Sequence, residues 1–456
     1  MQRFLPRLST LSSIRSRPLP SSRLPSLLPS SSIPTTLARS FSIAATAPSP
    51  VTPPCDSASA TATASATFPK SKDKTQSQVP LNLRNSISRC AAVTPRGITL
   101  KDLYSIGKIT DHQVSLETSA RWLAAELPVR LARRVVDLES LDAIDGLGQS
   151  KGIQTVHRMY VDSFRDVVSA RELVAAGDLD GFAKVLEGVK DRHKDVVAIM
   201  ARGIFEWKAS RAQLRKGSSY EGEATGYRNG VVKEQVKNFL NTFYMTRIGI
   251  RVLIGHFLEL FEVHKPGYAG IINMKCRPFD MANKAGNFAK HLAYAHYGES
   301  PDIQILGATN LEFPYVEGHI YLCLFELLKN SLRATIETHQ DSDSLPPVKV
   351  IIADGAEDIT IKISDEGGGI PRSGMDKIWT YMYTTANTPS EKLMEMENMR
   401  NRNRPDPIAG FGFGIPLTAT YARYFGGELT IIGMDGYGTD AYLHLCKLGN
   451  KKEHIL

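Results

Sequence analysis

The spacing of apolar residues changes near Pro266, and this change constrains the fold more than any other feature of the sequence. Between about residues 100 and 261, apolar residues recur at helical spacing over long stretches such as Ser119–Ser140, which contains one proline, Pro128. After Pro266, short runs of β-branched residues alternate with helical stretches. The sequence therefore predicts a helical domain followed by an α/β domain.

The pattern of each half predicts a particular fold. Four long amphipathic stretches in the first half favour a four-helix bundle, and interleaved strands and helices in the second half favour a sheet covered by helices on one face. The predicted strands are Ile303–Leu306, Val348–Ile352, Ile359–Ile363, Leu429–Ile432 and Ala441–Leu445. The predicted helices between them are Asp280–Tyr297, His319–Thr338 and Gly414–Phe425.

The first fifty residues carry the excess positive charge of the chain. They contain six arginines, thirteen serines, no lysine and no acidic residue, so the formal charge of +8 falls to 8 − 6 = +2 for the remainder. This composition is typical of an organellar transit peptide, and a disordered tail is the plainer alternative. We expect a mitochondrial transit peptide over residues 1–41. Because the rest is nearly neutral, the charge gives no reason to expect a nucleic-acid partner.

The segment that follows is rich in alanine, serine, threonine and proline, so we expect a disordered linker over residues 42–95. The helical domain is then expected at 96–264 and the α/β domain at 265–450. The richest apolar run, Val252–Phe261, is too short to span a bilayer, so membrane insertion is not expected. The five cysteines are scattered without a CxxC pair, which predicts free thiols rather than a disulfide framework or zinc site.

Three weak motifs occur in order in the second half. Glu326 and Asn330 stand four residues apart on a predicted helix and therefore share one face. A carboxylate and a carboxamide suit proton transfer and Mg²⁺ ligation, although such pairs are more often a solvated helix face.

The other two motifs contain glycines. Asp365 ends a predicted strand and is followed by Gly367–Gly369, an arrangement that can accept a hydrogen bond from an amine such as that of adenine, or can simply be a turn. Gly410–Gly414 has the pattern GxGxG before a predicted helix, where exposed amides favour a phosphate chain. The chain contains no GxxxxGK[ST] loop and no HRD, DFG or VAIK motif, which excludes the ordinary protein-kinase fold.

The order ExxxN, DxGGG, GxGxG and then Gly436–Asp440 resembles the GHKL, or Bergerat, ATP site of histidine kinases, Hsp90-like chaperones, MutL proteins and mitochondrial dehydrogenase kinases. From about residue 100 to 447 the chain looks like the pyruvate dehydrogenase kinases and, somewhat less, the branched-chain 2-oxo-acid dehydrogenase kinase. The segments that carry this resemblance are ELPVRLARR, DRHKDVVAIMARGIFEWK, FYMTRIGIRVLI, LPPVKVIIADGAEDITIKISDEGGGIP, YMYTTANTP and AGFGFGIPLTATYARYFGGEL.

The resemblance implies a protein serine kinase that uses ATP and Mg²⁺. Glu326 would be the general base, Lys329 its neighbour, Asn330 the Mg²⁺ ligand and Asp365 the acceptor for the adenine amine. The segment Pro389–Pro407 would be a lid ordered by ATP. Further nucleotide contacts would come from residues on both sides of that segment and from the phosphate-binding glycines: Arg333, Gly367, Gly369, Thr384, Thr385, Gly410, Phe411, Gly412, Phe413, Gly414, Ile415 and Thr439.

The resemblance also implies a regulatory pocket for a small oxo acid in the helical domain. Its residues would be Tyr160, Ser163, His193, Arg247 and Arg251, although on sequence alone the two arginines are more often ion-pairing residues. The implied partners are the dehydrogenase component and the lipoyl domain of a 2-oxo-acid dehydrogenase complex in the mitochondrial matrix, with a homodimer as the expected assembly.

Two departures from the family pattern affect these expectations. Leu322 occupies a position one turn before Glu326 where many pyruvate-type kinases have a histidine, and the short segment after Leu445 is more like the branched-chain enzyme. Alternatives therefore remain: a branched-chain dehydrogenase kinase, a non-kinase GHKL ATPase, a histidine kinase using His193, and a scaffold of weak activity.

Overall fold

The first half of the chain is built from helices that bury an apolar face. The computed structural model describes residues 79–109, 111–216, 223–262, 265–383, 412–448 and 453. Within the described part, the helices before residue 264 are α1 (Leu81–Ala91), α2 (Leu100–Gly107), α3 (His112–Ser140), α4 (Lys151–Ser169), α5 (Arg171–Ala176), α6 (Leu179–Arg192), α7 (Val196–Lys216) and α8 (Glu223–Phe261). Short 3₁₀ turns occupy Leu141–Ala143 and Leu147–Gln149.

Local signals set the starts of several helices. Thr99 and Asp102 form a capping box at α2, and the Asp111 side chain accepts a hydrogen bond from the Val114 amide at the start of α3. Helix α3 continues through Pro128, and α8 is about 58 Å long at 1.5 Å per residue. None of the helices that the structure describes is long and apolar enough to cross a membrane.

The second half is an α/β layer. It contains β1 (Tyr268–Ala269), β2 (Ile272–Cys276), α9 (Pro278–Tyr297), β3 (Ile303–Gly307), β4 (Phe313–Tyr315), α10 (Glu317–Thr338), β5 (Val348–Asp354), β6 (Asp358–Asp365), α11 (Arg372–Met375), a 3₁₀ turn (Lys377–Trp379), α12 (Gly414–Tyr424), β7 (Glu428–Met434) and β8 (Gly438–Cys446). The main sheet has the order β3-β5-β6-β8-β7, with β3 parallel to β5 and the other neighbours antiparallel.

The burial pattern of strand β6 places a carboxylate at one end of the sheet. Its burial alternates, so Ile359, Ile361 and Ile363 are buried, and Asp365 follows in the same phase. The buried face of β6 packs against α10, and α12 packs against the neighbouring strands β7 and β8. Asp365 is therefore a carboxylate in the apolar layer between sheet and helices.

The structure departs from the sequence-based expectations at three places. Helix α1 packs against α3 and buries Ile87, so the predicted linker ends before residue 95. A second sheet, β1-β2-β4, was not predicted because strands of two to five residues are too short to show a period of two. Cys276 and Cys323 are buried free thiols, whereas Cys90 is disulfide-bonded. The expectation of free thiols is wrong for Cys90 because linear spacing does not show which cysteines meet in space.

Candidate active site

Helix α10 presents an ion pair at the centre of the second half. The Lys329 Nζ donates to Glu326 Oε1 at 2.9 Å, and the lysine and glutamate side chains are 8% and 21% exposed. The two residues are one turn apart, so the helix itself sets their spacing. The lysine fixes one carboxylate oxygen of Glu326 and leaves the other oxygen, Oε2, available.

That second oxygen faces the start of helix α12. A Cβ atom built on Gly414, the first residue of α12, would lie 2.4 Å from Glu326 Oε2. Phe413 at the N-cap contributes no side-chain hydrogen bond to the helix, and the first amides of a helix favour an anion. The structure therefore places the Glu326 carboxylate against the start of helix α12, where a side chain at position 414 would displace it.

A second carboxylate, Asp365, lies at the end of β6. Its Oδ2 accepts a hydrogen bond from Ser331 Oγ at 2.7 Å, and its Oδ1 accepts from the amides of Gly367 at 3.0 Å and Thr439 at 3.1 Å. Burial raises the pKa of the Asp365 carboxyl above its usual value, and these three hydrogen bonds oppose the shift. The register of the sheet pairs Asp365 with Thr439, which accounts for the amide contact.

Three glycines allow the backbone to close around Asp365. A Cβ on Gly367 would meet Ala334 Cβ at 2.5 Å, and one on Gly438 would meet the Asp365 carbonyl oxygen at 1.9 Å. Gly369 has φ +76° and would place a Cβ 2.0 Å from the Met434 carbonyl oxygen. A side chain at Gly367 would clash with α10, one at Gly369 with the end of β7, and one at Gly438 with the end of β6.

Helix α10 connects the two carboxylates, because it carries Glu326 and also Ser331, the partner of Asp365. Glu326 and Ser331, the partner of Asp365, are five positions apart, which is about 7.5 Å along the helix axis. Asn330 lies between them and is half-buried. Arg333 follows, and its Nε is 3.3 Å from Glu337 Oε1.

Residues on the two sides of the expected lid, Met382 and Gly412, meet beside helix α8. The Met382 amide donates to the Gly412 carbonyl at 2.9 Å, and Gly412 has φ +74°. The Tyr381 and Phe413 rings lie 5.3 Å apart between centroids with their planes tilted, and both contact Tyr244 of α8. Thr384, Thr385, Gly410, Phe411 and the lid segment Pro389–Pro407 lie outside the described residues.

Three further residues of the second half have defined surroundings. Thr439 contacts Asp365 through its backbone amide. Ile415 is half-buried within α12. His319 stacks on Phe425 in the core, and burial lowers its pKa to about 3. It is therefore a neutral packing residue and does not replace the histidine missing at Leu322.

The predicted regulatory residues also come together. Tyr160 and His193 have ring centroids 4.4 Å apart, Ser163 Oγ lies 3.0 Å from His193 Nε2, and Arg247 donates to the His193 carbonyl at 2.7 Å. Burial lowers the pKa of His193 to about 4, with positive charge from Arg247, Arg192 and Arg251 acting in the same direction.

Several donors in this cluster have no partner among the described residues. They are the buried Tyr160 hydroxyl, Arg247 Nε and Arg251 Nη1. Unused guanidinium donors beside a phenol match the needs of a small carboxylate.

Two contributors were missed at the level of sequence. Ser331 holds Asp365 across 34 positions, and Arg192 donates to Ser163 Oγ at 2.8 Å across 29 positions. Ser331 follows the ExxxN motif directly, so its place next to Asn330 was the one available signal. Arg192 directly precedes His193, but no motif distinguishes it from a surface arginine.

The profile of the family described as histidine kinase-, DNA gyrase B- and HSP90-like ATPase matches residues 315–448. That range contains α10, Asp365 and the start of α12, so the second half is an ATP-binding domain of this class.

The relatives define the family more narrowly. The profile described as mitochondrial branched-chain alpha-ketoacid dehydrogenase kinase matches residues 97–273. The mitochondrial [pyruvate dehydrogenase (acetyl-transferring)] kinase of Arabidopsis thaliana is 40% identical over 82% of this chain and 97% of its own length. The Schizosaccharomyces pombe kinase of the same name is 33% identical over 82% and 98%, and human isozyme 4 is 34% identical over 78% and 83%. The chain belongs to the mitochondrial pyruvate dehydrogenase kinase family.

Proposed function

We propose that this chain is a protein serine kinase that phosphorylates and inactivates the dehydrogenase component of a mitochondrial 2-oxo-acid dehydrogenase complex, with pyruvate dehydrogenase as its substrate. The observation that carries the proposal is the apposition of Glu326 Oε2 and Gly414. It brings a proton acceptor to the helix terminus where a phosphate chain binds. The names of the curated relatives support pyruvate dehydrogenase as the substrate.

The transfer step follows from these positions. The serine hydroxyl attacks the γ-phosphorus of ATP, the bond from that phosphorus to the β,γ-bridging oxygen breaks, and ADP leaves. Glu326 accepts the hydroxyl proton while Lys329 holds its other oxygen. The amides of the glycine segment Gly410–Gly414 stabilise charge on the phosphates.

Asp365 is proposed to bind the adenine amine. Three donors of the protein fix the orientation of its carboxylate, so its position is set before the nucleotide binds. Asn330 is proposed as the Mg²⁺ ligand because its amide oxygen suits a hard cation and its helix position lies between Glu326 and Ser331. When bound, Mg²⁺ supplies positive charge to the phosphates. The remaining nucleotide contacts are proposed for Arg333, Gly367, Gly369, Thr384, Thr385, Phe411, Ile415 and Thr439.

The cluster around His193 is proposed as a regulatory oxo-acid pocket. Its unused donors on Arg247 and Arg251 support the binding of a carboxylate. Within the helical half, we propose a four-helix bundle formed by the long helices α3, α4, α7 and α8, in the domain 96–264.

Other features of the chain support the proposed location and assembly of the enzyme. The acid-free, arginine-rich residues 1–41 support import and a matrix location. Ile432, Met434 and Tyr437 are 55%, 64% and 57% exposed at the edge strand β7 and its turn. Apolar side chains at a sheet edge support a homodimer through the second domain. Binding of a lipoyl domain is proposed from family membership alone.

A branched-chain dehydrogenase kinase is the second candidate, favoured by the profile match over residues 97–273. A histidine kinase using His193 is disfavoured because that ring is 2% exposed and contacts Ser163. A clamp-type ATPase is disfavoured because the relatives match both halves of the chain.

The substrate is tested by side-by-side phosphorylation. The purified chain is incubated with γ-labelled ATP and equal amounts of the pyruvate or the branched-chain dehydrogenase component. We expect serine labelling of pyruvate dehydrogenase, at the higher rate, with parallel loss of its activity. Faster labelling of the branched-chain component would replace the proposed substrate, and label on the chain's own histidine would overturn the proposal.

A further inference from the structure

A buried group of charged residues lies outside the active site. Arg130 of α3 is 1% exposed, and its guanidinium donates to Glu126 Oε1 at 2.9 Å and to the carboxylate of Glu453. The Arg130 Nη1 to Glu453 Oε2 distance is 3.1 Å. Glu453 is itself 5% exposed although it lies near the end of the chain. A buried ion pair of this kind persists when its remaining polar atoms are also satisfied.

Glu453 is fully engaged in this position. Its Oε1 accepts from the Ile98 amide at 3.1 Å, its own amide donates to the Ile98 carbonyl at 2.9 Å, and its Oε2 accepts from the Tyr424 hydroxyl. Tyr424 is the last residue of α12. One carboxylate thus joins the start of the helical half, helix α3 and the end of the helix that begins at Gly414.

The neighbouring helix leaves space for this group. A Cβ on Gly249 of α8 would lie 2.7 Å from Arg130 Nη1, 3.0 Å from Glu453 Oε2 and 3.2 Å from the Tyr424 hydroxyl. Glycine in a helix interior is less favourable than alanine. Glycine at position 249 leaves room for the Glu453 carboxylate, the Arg130 guanidinium and the Tyr424 phenol.

We propose that Glu453 is a positioning residue for nucleotide binding. It holds the far end of α12 against α3, and α12 is a rigid helix of 11 residues, about 16 Å long, whose other end lies against Glu326. Movement at Tyr424 is therefore carried to the amides at Gly414. The inference rests on the proposed function, because it assumes that these amides bind the phosphates.

The test uses the full-length chain and the variants Glu453→Gln and Gly249→Ala. The first changes the buried carboxylate itself, and the second places a methyl group against it from α8. Arg130 keeps Glu126 as a partner in both variants, so we expect folded protein. The Kd for ADP, measured by calorimetry, should rise about tenfold in each, a loss of about 1.4 kcal/mol. KM for ATP should rise in parallel, with a smaller change in kcat. Tyr424→Phe removes only one hydrogen bond and should give an intermediate Kd.

Glu299→Gln, at an exposed carboxylate beyond α9, is the matched control and should bind ADP like the parent chain. If Glu453→Gln and Gly249→Ala bind ADP within about twofold of the parent while their unfolding temperatures fall, Glu453 only stabilises the fold and the proposal is overturned. ADP binding needs no dehydrogenase. A parent chain that binds ADP but labels no dehydrogenase would refute the proposed function and leave this inference standing.

Discussion

Gly414→Ala is expected to lower the rate of phosphoryl transfer while leaving nucleotide binding nearly unchanged. The added Cβ would lie 2.4 Å from Glu326 Oε2 and 3.4 Å from Glu326 Cδ. Ordinary contact for such atoms is about 3.5 Å, so the carboxylate must move by about 1 Å. The atom that must move is the tip of a flexible side chain, so the backbone can stay in place.

The expected effect is on the rate of phosphoryl transfer. A displacement of about 1 Å in a catalytic group costs about 100-fold in rate, which is about 2.7 kcal/mol in activation free energy. The Kd for ADP should change by less than about threefold, because the helix amides remain in place. The unfolding temperature should stay close to that of the parent chain, since only the tip of the Glu326 side chain must move.

The assay is single-turnover transfer of labelled phosphate to the dehydrogenase component, with ADP calorimetry beside it. Gly188→Ala is the matched control, because Gly188 lies within α6 and a Cβ there meets no atom within 4 Å. A Gly414→Ala chain that transfers phosphate within threefold of the parent rate would refute the contact as a catalytic arrangement.

The remaining predictions concern nucleotide binding, stability and regulation. Asp365→Asn should raise the Kd for ADP by about 10- to 100-fold, since a hydrogen bond to a charged group contributes about 1.5–3 kcal/mol; an unchanged Kd in calorimetry would exclude Asp365 from adenine binding. Burial raises the pKa of the Asp365 carboxyl, so the folded chain binds that proton more tightly than the unfolded chain, and this group's stabilising contribution is lost as pH rises through the raised pKa. Nucleotide affinity, which uses the ionised form, should fall as pH is lowered through the same pKa, and titration of the Asp365→Asn variant should lack that step. Gly438→Ala, whose Cβ would lie 1.9 Å from a backbone oxygen, should destabilise the fold by about 3 kcal/mol in urea unfolding, and full stability would contradict the close packing. Arg251→Gln should weaken inhibition by pyruvate about tenfold in a kinase assay, whereas unaltered inhibition would remove Arg251 from the pocket.

Sequence reasoning located the elements of the second half well because each has a strong local pattern. The predicted strand Ile359–Ile363 lies inside β6, and the predicted helix His319–Thr338 lies inside α10. Glu326 and Asp365 were selected as candidates for the same reason, since each belongs to a short motif next to a regular element.

The remaining features depend on contacts between distant parts of the chain. Glu453 meets Arg130 across 323 positions, and Ser331 meets Asp365 across 34. No local pattern of charge or hydropathy distinguishes these residues from surface ones. The close approach of Glu326 to Gly414 is likewise invisible in sequence, because the two residues lie on different helices.

The central claim is that Glu326 accepts the proton of a substrate serine during transfer from ATP. Single-turnover labelling of the pyruvate dehydrogenase component by the Glu326→Gln variant tests it most directly, with ADP calorimetry to show that the site is intact. The account predicts a Kd for ADP close to that of the parent chain and a transfer rate lower by about 100-fold or more, the range for loss of a general base. Serine labelling at the parent rate, with the same Kd, would contradict it.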